Sequence, residues 1–265
     1  MKEISLKERK QLQFDILVKI DSICREHGFR YYLCSGTLLG AVRHKGYIPW
    51  DDDIDISMPR EDYEAFYRYF QKNNIDDDMQ LISYRDKTSI YPFFKMINPK
   101  TVVVEHYVDS RYRTGVWVDI FPVDGVEKND DEPFRLNAET QKRYKLIIAN
   151  PSYATSLPRK IVKRILTPIF RRQDIYELAA TLDKTISATP ISPNNDIALA
   201  VWGYDERERM PFSMLEPTEI EFEGSLFYAP RDYDAYLTAI FGDYMTPPPP
   251  DQREAHFCSA YWKDR

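Results

Sequence analysis

The chain has 265 residues, 43% of them hydrophobic, with 36 Lys and Arg against 42 Asp and Glu and a net charge of -6. That length and apolar content suffice for one large domain, or a core with a substantial appendage, and the acidic balance excludes a general nucleic-acid binder held by overall positive charge. Three cysteines, Cys24, Cys34 and Cys258, lie far apart without a CxxC pair, so neither a disulfide framework nor a structural zinc site is expected. MKEISLKERK lacks the apolar stretch of a secretory signal, and no run of about 18 apolar residues is present to span a bilayer. The expected address is the cytoplasm, with the inner face of the membrane as a possible working surface.

In chain order, Ser5 and Glu8 fit a capping box, and Leu12, Ile16, Ile20 and Cys24 repeat every four residues up to Gly28, which predicts an amphipathic helix over 6–27. A short strand from Arg30 to Ser35 then runs into Gly36, and TLLGAVRH reads as the opening of a second helix. Strand, glycine and helix in that order aim backbone N–H groups at a phosphate. GYIPW is a loop, and DIDIS alternates polar and apolar residues as a half-buried strand does. Pro59 opens a helix with Tyr63, Phe66, Tyr67 and Phe70 as its core stripe. MQLISYR, YPFFKMI, TVVVEH and GVWVDIF read as strands. From Pro133 to Thr189 the pattern is helical with a break near 150–158, EIEFEGSLFYA reads as a hairpin turning at Glu223-Gly224, Arg231 to Phe241 as a last helix, and the four prolines 247–250 as an extended segment.

The chemistry is concentrated in PWDDDIDIS. Asp51, Asp53 and Asp55 are expected on one face of an extended strand, roughly 6 to 7 Å apart, a span that one or two divalent cations bridge. Ile54 and Ile56 would anchor that strand in the core. A solvated acidic turn is the ordinary alternative, and it is the reading adopted for Asp76, Asp77 and Asp78. Asp119 interrupts the apolar strand GVWVDIF; its burial requires a metal or a cation as compensation, which makes it the natural third ligand or the acceptor of a proton. Asp124, in the VDG turn, is expected to contact backbone N–H groups. An all-carboxylate set favours Mg²⁺ or Mn²⁺ over zinc and suits phosphoryl or nucleotidyl transfer.

Three blocks, SGTLLGAVRHKGYIPWDDDIDISMPREDYEAF, GVWVDIFPVDG and FGDYMTPPPPDQREAHF, together resemble the LicD family in the family's order. Its best-known members are phosphorylcholine transferases, and its relatives include fukutin and the fukutin-related protein. The resemblance implies a mixed α/β (α+β) fold: a nucleotidyltransferase-like mixed sheet flanked by helices, with a helical insertion and a C-terminal hairpin and helix. It implies one domain over 1–265, with a core at about 28–125 and a helical and C-terminal elaboration at about 131–265. Gly36, Thr37, Asp53, Asp55 and Asp119 match the family pattern position by position, and Asp51 matches an additional acid, expected nearer the transferred group than the metal. Ser35-Gly36-Thr37 departs conservatively from the Gly-Gly or Gly-Ser of the broader superfamily.

Chemically the resemblance implies transfer of a phosphorylated alcohol, phosphocholine first, from a CDP-linked donor to a hydroxyl of a cell-surface glycan such as a teichoic acid or lipopolysaccharide precursor, with release of CMP. A nucleotidyltransferase attacking the proximal phosphorus is the rival reading, and an inactive glycan-binding module is the third. Arg43, His44 and Lys45 are candidate donor-phosphate contacts, although an exposed basic helix end would look the same. Trp50, Tyr47 and Tyr91 are candidates for an aromatic wall around a quaternary ammonium, and Arg253 and His256 for contacts to the acceptor. Residues 158–172 read as a basic amphipathic helix kinked near Pro168. Core packing under a solvated basic face is its preferred reading, and contact with an anionic membrane carrying a lipid-linked acceptor is the alternative.

Overall fold

The computed structural model of the chain describes all residues except 74–76, 154–156, 254–257 and 265. In chain order the elements are β1 (Lys2–Ile4), α1 (Leu6–His27), β2 (Tyr32–Leu33), α2 (Ser35–His44), β3 (Asp55–Pro59), α3 (Arg60–Lys72), β4 (Gln80–Ile82), β5 (Phe94–Glu105), β6 (Thr114–Val126), α4 (Glu132–Ile147), α5 (Leu157–Phe170), α6 (Ile175–Ile186), β7 (Asp196–Ala198), β8 (Pro217–Phe222), β9 (Ser225–Pro230), α7 (Tyr233–Phe241) and β10 (Cys258–Trp262).

Local signals explain much of this. Ser5 accepts from the Glu8 N–H while the Glu8 carboxylate accepts from the Ser5 N–H, and Gly28 closes α1 in the left-handed conformation. The Glu223-Gly224 turn has positive φ at both residues (50° and 77°), the twist that suits a two-residue hairpin between β8 and β9. Tyr63 and Phe66 are fully buried on α3 and Tyr63 stacks on Phe94 at 3.9 Å, so the aromatic stripe is core.

Among the described residues eight strands form one mixed sheet whose path is β1-β10-β5-β6-β3-β2, with β4 on β5 and β7 on β6. β3 and β6 run parallel and the other pairs antiparallel. The register places Asp55 opposite Asp119 and Lys95 opposite Asp119. Three neighbouring strands therefore carry Lys95, Asp119 and Asp55 at one level. Across pleated strands, residues directly opposite one another point to the same face, so this row is the geometric origin of the site.

Several expectations need correction. The acidic strand begins only at Asp55, and 51–54 is irregular chain leading into it. The strand before Gly36 is confined to Tyr32–Leu33, and YPFFKMI and TVVVEH belong to one long strand with an irregularity between Asn98 and Val103. Asp124 makes no turn contact. It is buried in β6 and receives two hydrogen bonds from Arg60, both 2.7 Å, because a buried carboxylate needs a charge partner and α3 supplies one. On α5, Ile161, Val162, Ile165 and Ile169 are 52–60% exposed, which overturns core packing for that stripe. Of the acids read as a solvated turn, Asp77 is exposed and Asp78 pairs with Lys100 at 2.6 Å; Asp76 lies outside the described residues.

Candidate active site

The row of Lys95, Asp119 and Asp55 forms part of a cleft of about 320 Å³, which Asp53 and Ser35 also line. Asp53 and Asp55 reach it because Ile54 and Ile56, fully buried on either side of Asp55, fix the chain there. The Asp55 N–H donates to the Thr37 hydroxyl (2.8 Å) and the Asp55 carbonyl accepts from the Cys34 N–H (3.2 Å). Thr37 is thus 4% exposed and holds the acidic segment in place, instead of lying open to a phosphate. Asp52, between the candidate acids, points the other way into a buried ion pair with Arg9 of α1, while Gln13 donates to its carbonyl at 2.9 Å.

Asp119 has both oxygens engaged: Lys95 Nζ donates to Oδ1 at 2.5 Å and Trp117 Nε1 to Oδ2 at 3.1 Å. The Lys95 ammonium also lies over the rings of Trp117 (4.4 Å), Tyr91 (4.7 Å) and Phe93 (5.3 Å). The cation that the buried carboxylate requires is therefore supplied within the chain. Lys95 carries in the sequence the same signal as Asp119, an ionisable residue interrupting the apolar run YPFFKMI.

Burial first, and then Asp53, Asp119 and Asp51, push the Asp55 carboxyl well above the usual carboxylate range, against the pull of Lys95. A divalent cation between Asp53 and Asp55 would relieve that repulsion, so this pair suits Mg²⁺ or Mn²⁺. Among the described residues no group of three acids, histidines or cysteines is assembled as a metal site. Asp119 would need its Lys95 contact rearranged to become a third ligand.

The remaining candidates are distributed differently. Asp51 Oδ2 sits so close to Gly36 that a Cβ there would meet it at 2.6 Å. The first turn of α2 thus already faces a carboxylate, and any side chain at 36 would displace it. Arg43 donates to the Tyr244 carbonyl (2.6 Å) and lies over Trp50 at 5.9 Å, while Arg253 covers Trp50 at 4.5 Å. His44 touches the same indole edge-on at 6.3 Å. Burial and the Arg43 charge lower the His44 pKa. This basic group, with Trp50 at its centre, does not line the acidic cleft. Lys45 is exposed and closes α2 in the left-handed conformation. Tyr47 packs on Phe222 and donates to the Lys10 carbonyl at 3.0 Å, so of the proposed aromatic wall only Tyr91 lines the cleft. His256 lies outside the described residues.

The opposite wall comes from the second half of the chain, with Trp202, Gly203, Tyr204 and Glu208. Trp202 has φ 69°, a strained conformation for a bulky residue. Buried Asn137 of α4 holds it there, accepting from the Trp202 N–H at 2.9 Å and donating to the Gly203 carbonyl at 3.1 Å. No side chain fits at Gly203, where a Cβ would lie 1.9 Å from the Leu199 carbonyl. Asn137→Ala should lower stability by about 2 kcal/mol, because a strained backbone loses both clasping bonds; urea unfolding measures this, and an unchanged midpoint would contradict it.

Glu208 is 1% exposed, accepts from the Tyr204 N–H at 3.3 Å, and has Oε2 without a hydrogen-bond partner among the described residues. Burial lifts its pKa to about 7 from 4.5. The unfolded chain loses this proton near 4.5 and the folded chain near 7, so the residue lowers stability progressively as pH rises across that window. Glu208→Gln should flatten the decline, on the order of 3 kcal/mol at pH 8. Melting curves at several pH values test it, and an unaltered slope would contradict the buried carboxyl. Asp55 shifts in the same direction, so some decline should persist.

A mixed sheet with acids presented from adjacent central strands, beside a helix that follows a short strand, defines a nucleotidyltransferase-like domain. Residues 28–149 match the family model described as LicD/FKTN/FKRP, nucleotidyltransferase domain, and this stretch is a domain of that family. The lipopolysaccharide cholinephosphotransferase LicD of Haemophilus influenzae is 29% identical over 278 residues, covering 98% of this chain and 99% of the relative. The human ribitol 5-phosphate transferase FKRP is 54% identical over 35 residues, 13% of this chain and 7% of the relative. An uncharacterized Rickettsia typhi protein, RT0683, is 43% identical over 63 residues, 23% of this chain and 20% of its own.

Proposed function

We propose that the chain transfers a phosphorylated alcohol, phosphocholine first, from a CDP-linked donor to a hydroxyl of a cell-surface glycan precursor of the lipopolysaccharide or teichoic acid kind, releasing CMP. The observation that carries the reading is the level row of Lys95, Asp119 and Asp55 beside Asp53 in one cleft. Full-length similarity to a cholinephosphotransferase favours phosphocholine, and the short match to a ribitol 5-phosphate transferase keeps ribitol phosphate as the second donor group to test.

In this reading Asp53 and Asp55 hold Mg²⁺ or Mn²⁺, which when bound neutralises charge on the donor phosphates. The acceptor oxygen bonds to the distal phosphorus, the bridging P–O bond breaks, and CMP leaves with the bridging electrons. Asp119, oriented by Lys95 and Trp117, accepts the proton from the attacking hydroxyl. The aromatic rings and the Glu105 and Glu208 carboxyls in the cleft suit a cationic headgroup. Both halves of the chain line the cleft, which favours treating 1–265 as one working unit, with the core at about 28–125 and the elaboration at about 131–265.

Phosphorus NMR of the protein with Mg²⁺ and, separately, CDP-choline, CDP-ribitol, CDP-glycerol and CTP tests this. CMP release from one CDP-alcohol, lost in Asp53→Asn, is the expected result. Diphosphate release from CTP would favour nucleotidyl transfer, the rival reading. Silence with every donor, even when lipopolysaccharide acceptor is added, would favour a glycan-binding module.

A further inference from the structure

We propose that α5 is a docking surface for an anionic lipid bilayer. Ile161, Val162, Ile165 and Ile169 stand 52, 52, 60 and 54% exposed, although an apolar stripe at i, i+4 and i+8 is the pattern by which a helix ordinarily joins a core. On the inward side Thr167 is buried and Leu166 and Phe170 are half-buried. The same stretch, 157–173, carries six Lys and Arg and no acid, within a chain of net charge -6.

Two properties on one helix decide the occupant. An acidic protein surface would satisfy the charges, but it would not take up four aliphatic side chains. An apolar protein groove would take up the side chains and leave the charges without partners. An anionic bilayer satisfies both, because its headgroups meet the basic residues and its acyl boundary accepts the isoleucines. Arg164 and Arg172 are exposed and free to reach headgroups, whereas Lys163 donates to the Tyr153 carbonyl at 3.1 Å.

The helix is also fixed in place relative to the cleft. Arg171 pairs with Asp109 at 2.6 Å and donates to the carbonyls of Ile147 (3.0 Å) and Ala149 (2.9 Å). Asp109 follows closely on Glu105 and Tyr107, which line the cleft. A bilayer under α5 would therefore lie near its mouth and, on the reading proposed above, would present a lipid-linked acceptor there. The docking itself does not depend on that reading, since it is assayed without substrate.

The full chain is sedimented with vesicles of phosphatidylcholine alone and of phosphatidylcholine with phosphatidylglycerol, at low and high salt. Binding to the anionic vesicles, weakened by salt, is the expected result. Arg164→Glu with Arg172→Glu, and separately Ile161→Asn with Ile165→Asn, should each weaken it about tenfold or more, with melting temperature and donor hydrolysis unchanged. No binding at low salt, or equal binding by both variants, would overturn the proposal. So would self-association that the isoleucine variant abolishes in the absence of vesicle binding, because the stripe would then cover a second copy of the chain.

Discussion

Asp55→Asn is expected to lower the rate of transfer on the order of a thousandfold or more while leaving the protein more stable to heat in the absence of divalent ions. Asp55 stands in register with Asp119 and shares the cleft with Asp53, and burial and these neighbours push its carboxyl well above the usual carboxylate range. The folded state therefore carries the cost of holding that charge at neutral pH. An amide of the same shape removes the cost, so the melting temperature should rise by about 2–4 °C per kcal/mol recovered. Mg²⁺ should then stabilise the wild-type protein and leave the variant unmoved, because a ligand that binds the native state raises its apparent stability. Calorimetry with and without Mg²⁺, beside an assay of CMP release, measures all three effects. A variant that is less stable and still active would contradict the placing of Asp55.

Lys95→Met is the second large effect, and it should destabilise the fold by about 3–5 kcal/mol. The ammonium is 4% exposed, 2.5 Å from Asp119 and enclosed by three rings, so its removal takes the counter-charge away from a buried carboxylate. Asp119→Asn combined with Lys95→Met should recover most of the loss, since methionine fills the aromatic cage and the amide needs no counter-charge. Neither the single nor the double variant should support transfer. Urea unfolding of all four proteins gives the coupling directly, and additive costs would show that the pair is not a unit.

The part of the site that could be read from the sequence is the part built from neighbours in the chain. Ile54 and Ile56 alternate with the acids, and Asp119 breaks an apolar strand, so the two halves of the acidic cluster announce themselves. Their apposition was not readable without the family resemblance, because the parallel pairing of β3 with β6 is non-local. Lys95 carried the same signal as Asp119 and needed only the same argument. Trp202, Tyr204 and Glu208 carried none: their place at the cleft follows from the Asn137 clasp on the Trp202–Gly203 backbone, a contact between distant segments.

The basic candidates lie away from the acidic cleft for a geometrical reason. Gly36 and Arg43 lie towards opposite ends of α2, about 10 Å apart along its axis, so closeness in sequence to the glycine did not bring Arg43 or His44 to the acidic cleft. β1 and β10 pair the two ends of the chain in strands of three and five residues, too short to carry a pattern. For α5 the periodicity gave the stripe correctly and was silent on what covers it, since amphipathicity alone does not distinguish a core from another apolar partner.

The central claim, attack at the distal phosphorus of a CDP-alcohol, is tested most directly by slow hydrolysis of CDP-choline in ¹⁸O-enriched water, with Asp55→Asn as the control. Heavy oxygen in phosphocholine and unlabelled CMP, with no product from the variant, is the expected result. Label recovered in CMP would place the attack on the proximal phosphorus and contradict it.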